Sequence, residues 1–135
     1  RISHISLRSV LPALPPRIPV GAYDALTNAY ADFSGRGGRN GIQKPDLVAP
    51  GVDILTAAPD GRYTRQTGTS FAVPFVTGAA ALLMQYGIIN GNDPYLYGEK
   101  VKAYLRRGAA PLPGIREYPD ERVGYGALCV ADSIP

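Results

Sequence analysis

Gly68-Thr69-Ser70-Phe71-Ala72-Val73-Pro74 decides the fold of this chain. Ahead of it stands a string of short strand-like segments broken by glycine and proline. Behind it runs Val76-Thr77-Gly78-Ala79-Ala80-Ala81-Leu82-Leu83-Met84, apolar and small, with the spacing of a helix. Ser70 therefore sits where extended chain turns into helix. At such a point free backbone N–H groups and the positive end of the helix dipole converge, which favours a nucleophilic hydroxyl. Pro74 is expected in the first turn, where its missing N–H breaks no helical bond. The plainer alternative is that Thr69 and Ser70 only cap a buried helix. Against it, Gly, Thr, Ser, Ala and Pro at this fixed spacing should coincide about once in a million positions at ordinary residue frequencies.

Working outward, Arg17 to Ala22 and Ala29 to Phe33 are predicted as strands with a turn at Thr27-Asn28. Ser34 to Gly41 is loop. Asp46 to Ala49 and Val52 to Ala57 read as short strands separated by Pro50-Gly51. Pro59-Asp60-Gly61 predicts a hairpin onto Arg62 to Gln66. The long helix is predicted from Ser70 to Tyr86, ended by Gly87. Gly78 costs such a helix about 1 kcal/mol against alanine, so close packing against another element is expected there. Asn90 to Pro94 makes the crossing to an amphipathic helix over Tyr97 to Arg107, which Gly108 stops. Pro111 to Pro119 is loop. Val123 to Leu128 is short extended chain or turn, followed by a short helix to Ser133. In residues 1–16, Ile5, Leu7 and Val10 suit a strand and Leu11 to Pro16 a proline-rich connection.

The 135 residues, 45% hydrophobic and 19% charged, have room for one globular domain with a moderate core. The net charge of +3 is scattered. Arg106-Arg107 with Lys100 and Lys102 is its one cluster, and it reads as the solvated face of an amphipathic helix, so no nucleic-acid partner is expected. The apolar run interrupted by Thr77 and Gly78 reads as too short for a bilayer, so no membrane partner is expected either. No signal peptide is visible, which is uninformative in a chain opening on Arg1. Cys129 is the only cysteine, which excludes an intrachain disulfide and suggests a buried, inert thiol.

The motif Gly68-Thr69-Ser70-x-Ala72-x-Pro74 resembles the serine motif of the subtilases, the subtilisin-like serine peptidases. Val20-Gly21-Ala22 followed by Phe33-Ser34-Gly35-Arg36-Gly37 resembles the family's segment ahead of the serine. Lys44-Pro45-Asp46-Leu47-Val48-Ala49-Pro50-Gly51 is similar to its K-P-D-[LIV]-x-A-P-G stretch, and Gly124-Tyr125-Gly126 with Ala131 to its closing G-x-G. The wording around Tyr95 to Lys100 and Arg106 to Ala109 is most similar to subtilases of clostridia and related spore-formers.

The resemblance implies an α/β fold, a partial subtilisin-like three-layer sandwich with a mostly parallel sheet around the serine-bearing helix. Residues 1–135 would be the carboxy-terminal portion of one catalytic domain. It implies Ser70 as catalytic nucleophile, Gly68, Thr69 and Ser70 as the oxyanion and nucleophile loop, and Phe71 on the leaving-group side of the cleft. Polypeptides would be the substrates. Phe71 stands where many subtilases carry methionine, and Phe75, where many carry histidine, is expected to pack in the core.

The family's acid, base and oxyanion asparagine belong to D-[ST]-G, H-G-T and asparagine motifs that this sequence does not contain. His4, the only histidine, has neighbours unlike the base's motif. Asp24, Asp32, Asp46 and Asp53 are explained better by turn, cap or loop roles than as a triad acid. The expected partner is therefore the amino-terminal half of the same domain, and the chain alone should be inactive and self-associate through uncovered apolar surface. A pseudoprotease or scaffold relative is the alternative. No cofactor and no metal are expected, since no acidic cluster has the spacing of a calcium loop. Family habit implies a secreted, cell-envelope or spore-associated protein.

Overall fold

The computed structural model describes residues 17–37 and 43–135; the readings made on residues 1–16, His4 included, and on 38–42 lie outside them. Three strands form one sheet in the order β2-β1-β3, namely β1 (Val20–Asp24), β2 (Ala29–Tyr30) and β3 (Leu47–Pro50). β1 and β3 run parallel, with Val20 opposite Leu47 and Tyr23 opposite Pro50. β2 returns antiparallel to β1 through a turn in which Asp24 Oδ1 accepts the Leu26 N–H at 2.9 Å. It is only two residues long because Ala31 to Ser34 form a tight turn, Ser34 N–H donating to Ala31 O at 2.8 Å.

The chain's closing segment extends this sheet beyond β3. Val48 N–H donates to Gly126 O at 2.9 Å and Leu128 N–H to Val48 O at 2.8 Å, which sets the segment parallel to β3. Gly124 must be glycine for this fit. Its φ is +58°, and a Cβ would lie 2.3 Å from the carbonyl oxygens of Pro45 and Asp46. The G-x-G spacing is thus the geometry of a strand laid tightly on its neighbour.

β3 is buried on both faces, as a parallel strand between two layers should be. Leu47 and Ala49 face α1 (Thr69–Met84), whose Ala72, Val76, Ala79 and Leu83 make a stripe at helical spacing. Val48, between them in the pleat, joins Leu112, Val123 and Ala127 on the opposite face. The hairpin of β4 (Ile54–Ala58) and β5 (Arg62–Gln66) turns at Pro59–Gly61, as the sequence predicted. α2 (Glu99–Arg107) buries Val101 and Leu105, and α3 (Val130–Ser133) packs beside it.

Several expectations need correcting. α1 begins at Thr69, so Pro74 falls in the second turn. Its absent N–H would have bonded Ser70 O, and that carbonyl is left without an α-helical donor. Gly87 does not end the helix, which runs on through a π turn, Gln85–Ile89; Leu96 packs so tightly on Gly87 that a Cβ would lie 2.6 Å from the leucine Cβ. Gly78 is exposed and a Cβ there would meet nothing, so it marks no close contact. Cys129 is only half-buried, and its thiol donates to Asp132 Oδ2 at 3.3 Å. Thr77 and Gly78 do not interrupt the apolar helix. Thr69–Ile89 is 21 residues and, by length and composition alone, enough to cross a membrane. Its packed stripe against β1 and β3 is nonetheless that of a core helix.

Candidate active site

The serine loop hangs from the carboxyl end of β3. Gly51 N–H donates to Tyr23 O at 3.1 Å, and Gly51 O accepts Gly68 N–H at 2.8 Å. The approach is close. A Cβ on Gly51 would lie 2.6 Å from Ala22 Cβ and 2.9 Å from Gly68 O. Gly68 is extended (φ 158°, ψ 159°), and its carbonyl accepts the Phe71 N–H at 3.1 Å, which turns the chain into α1.

Thr69 and Ser70 are thus the first two helical residues. Their N–H groups precede any α-helical acceptor and lie at the positive end of the dipole. The Ser70 side chain belongs to an exposed residue, and no side chain caps the helix, so the capping role is not the one these residues play. A hydroxyl held open beside unpaired N–H groups can attack an electrophile and stabilise the negative charge that develops there.

Phe71 opens onto an apolar groove of about 260 Å³ between α1 and β4, shared with Ile54, Leu55, Thr56, Pro74 and Phe75. Phe75 is 42% exposed, so the expectation that it packs in the core fails; within the described residues nothing covers that side of α1.

Gly68, Thr69, Ser70 and Phe71 come together as one turn, but no described residue is a histidine. The four aspartates lie elsewhere. Asp24 serves its turn, Asp32 is exposed in another, and Asp53 pairs with Arg65 at 3.3 Å on the surface. Asp46 is different. It is fully buried beneath α2, where Arg106 Nε donates to its Oδ1 at 2.9 Å and Lys102 Nζ stands 3.1 Å from Oδ2. The ammonium lies off the hydrogen-bonding direction of Oδ2, which has no directed donor among the described residues although it is within ion-pair range. Arg106 also stacks over the Tyr125 ring, 4.9 Å from its centroid. Neither a loop role for Asp46 nor a wholly solvated role for Lys102 and Arg106 survives. Lys100 is paired as well, with Asp93, which lies below the usual carboxylate range chiefly through its side-chain hydrogen bond to Lys100.

A model of the subtilase family matches residues 14–126. The chain belongs to the subtilase family. Its subtilisin-like α/β fold is shared with the Clostridium perfringens CspB protease, with a TM-score of 0.83 and 43% identity, over 87% of this chain and 25% of that one. The prenylagaramide maturation protease PagA matches with a TM-score of 0.72 and 39% identity, over 93% of this chain and 44% of that one. The intracellular serine protease of Paenibacillus polymyxa is 40% identical over 98 residues, which are 70% of this chain and 28% of that protein. This subtilase chain therefore spans about a quarter to under half the length of these relatives. The clostridial wording noted in the sequence agrees with the match to the CspB protease.

Proposed function

We propose that these residues are the carboxy-terminal, nucleophile-bearing part of a subtilisin-like serine endopeptidase domain. Ser70 Oγ attacks the carbonyl carbon of a peptide bond, and its proton passes to a histidine supplied from outside these residues. The Ser70 N–H is one donor to the oxyanion, with an asparagine side chain from the rest of the domain as the other. The leaving amine departs past Phe71 with the histidine's proton, and water then hydrolyses the acyl-enzyme.

The observation that carries this reading is the open, non-capping Ser70 side chain at the mouth of an apolar helix anchored to β3. The matched serine proteases support it. The test is labelling of the full-length parent with a fluorophosphonate probe. Labelling and peptide hydrolysis that vanish together in Ser70→Ala support the peptidase; an inert Ser70 in a folded parent favours the pseudoprotease instead.

A further inference from the structure

A second cavity, of about 300 Å³, adjoins Thr69, the residue before the proposed nucleophile, with Gly21, Gly35, Arg36, Lys44 and Pro45 in its wall. The backbone that carries its two cations is held in place. Ser34 Oγ accepts the Ala22 N–H at 2.9 Å, which fastens the approach to Arg36 onto β1. Gly37 N–H donates to Glu121 O at 2.8 Å. Gly37 also lies directly on the Lys44 carbonyl, where a Cβ would sit 1.8 Å from the oxygen. Arg36 and Lys44 are therefore neighbours across that contact, though eight positions apart in the sequence.

Neither cation has a carboxylate within 4.0 Å. All 11 acidic residues lie among those described, and the ion pairs they form engage other bases. Asp46, two positions after Lys44, is held by Lys102 and Arg106, Asp120 is held by Arg122, and Glu121 is exposed without an ion pair to any described residue. Arg36 instead leans on the Tyr30 ring at 5.7 Å, which restricts its side chain.

We propose that this cavity is a subsite for an acidic side chain, Asp or Glu, of the polypeptide substrate, with Arg36 and Lys44 as its specificity residues. The proposal rests on the reading of Ser70 as nucleophile, which makes the neighbouring cavity part of a substrate cleft. Two partly hydrated cations of this kind are expected to favour Glu over Gln about five- to tenfold.

Binding rather than turnover separates this proposal from the Ser70 reading. Fluorescein-labelled octapeptides of Ala and Gly, each with one Glu placed in turn, are titrated with the full-length parent carrying Ser70→Ala, beside a matching Gln set. One position should show the five- to tenfold preference, fading as salt rises from 0.05 to 0.5 M. In Arg36→Gln/Lys44→Gln the Glu-to-Gln ratio should fall to about one. Arg36→Glu/Lys44→Glu should instead prefer peptides with Lys at that position. Equal Glu and Gln affinities at every position, or a preference that outlasts the double Gln substitution, overturns the subsite. Failure of unmodified Ser70 to take the fluorophosphonate overturns the nucleophile and leaves the peptide ratios to decide the subsite separately.

Discussion

Arg106 on α2 donates its Nε–H to Oδ1 of Asp46 at 2.9 Å across 60 positions of sequence, and Asp46 is fully buried. Asp46 is also a junction of the backbone. Its N–H donates to Pro19 O and its carbonyl accepts the Tyr125 N–H, both at 2.8 Å. One residue thus joins the approach to β1, the strand after Gly124 and the helix after the crossing.

Removing the carboxylate should therefore destabilise the fold. Asp46→Asn leaves Arg106 and Lys102 facing a neutral amide. Breaking a fully buried pair costs about 3–5 kcal/mol. Here the cationic side chains are 31% and 17% exposed, so water recovers part of that. A loss of about 2–3 kcal/mol is expected, read as a lower urea midpoint at unchanged m-value. A change below about 0.5 kcal/mol would mean the cluster is in effect a surface one.

Gly51 offers a test of how the serine is positioned. In Gly51→Ala the new methyl would meet Ala22 Cβ and the Gly68 carbonyl, neither of which is a flexible chain end. Overpacking of this kind costs about 1–3 kcal/mol. Because the contact is with the loop that carries Ser70, kcat of the full-length parent should fall at least tenfold while its far-ultraviolet circular dichroism stays unchanged. Wild-type kcat in a destabilised variant would detach the loop from β3.

Acid should loosen the crossing between α1 and α2 and the turn that Asp120 makes with Gly124. Asp93 is held below the ordinary carboxylate range, first by its side-chain hydrogen bond to Lys100. For Asp120, burial pushes the other way, but the hydrogen bonds from the Arg122 backbone and side chain outweigh it and the net shift is again downward. Carboxylates with depressed values stabilise the fold above their unfolded pKa near 4, and that contribution is lost as pH falls through the folded value. Lys100 is shifted upward, chiefly by the same hydrogen bond to Asp93, so its contribution is complete below about pH 10 and disappears in strong alkali. Urea midpoints should be flat from pH 6 to 8 and drop below about pH 4. Asp93→Asn and Asp120→Asn should each flatten the acid limb; an unaltered limb in both would contradict the assignment.

The sequence showed those features that depend on neighbours in the chain. Pro59-Asp60-Gly61 set the hairpin, and Gly-Thr-Ser before an apolar run set the helix start to within a residue. What it hid depends on partners far away. Arg106 reads as solvated because its own helix is amphipathic, and only the fold brings Asp46 beneath it. Gly87 reads as a stop because Leu96, which presses on it, comes after the crossing. Phe75 reads as core because an apolar side chain does not say whether the surface that covers it belongs to the same segment.

On the proposed function, in which the acid, the base and the asparagine come from outside these residues, the chain should do no chemistry alone. The reference case for such losses is subtilisin, a relative of this chain, where removing the serine or the histidine costs roughly a million-fold in turnover; that figure is carried over from it. The purified 135 residues should leave peptide esters and anilides intact. Hydrolysis abolished by Ser70→Ala would show that a base lies within this sequence.

The exposed flanks of α1 give the last prediction. Val73 and Met84 on one side of the buried stripe, and Phe75 and Leu82 on the other, are each more than a third exposed, on a helix that is apolar on every side. Such helices are stable in water when covered all round, and a contiguous apolar patch on a soluble domain drives association. The purified chain should therefore self-associate at micromolar concentration, giving sedimentation coefficients that rise with loading. Phe75→Glu/Leu82→Glu places two charges on the flank they share without touching the buried stripe of Ala72, Val76, Ala79 and Leu83. It should shift the chain towards monomer at unchanged helix content. A wild-type chain that sediments as a monomer at 100 micromolar would show that the exposed side chains of α1 form no adhesive surface.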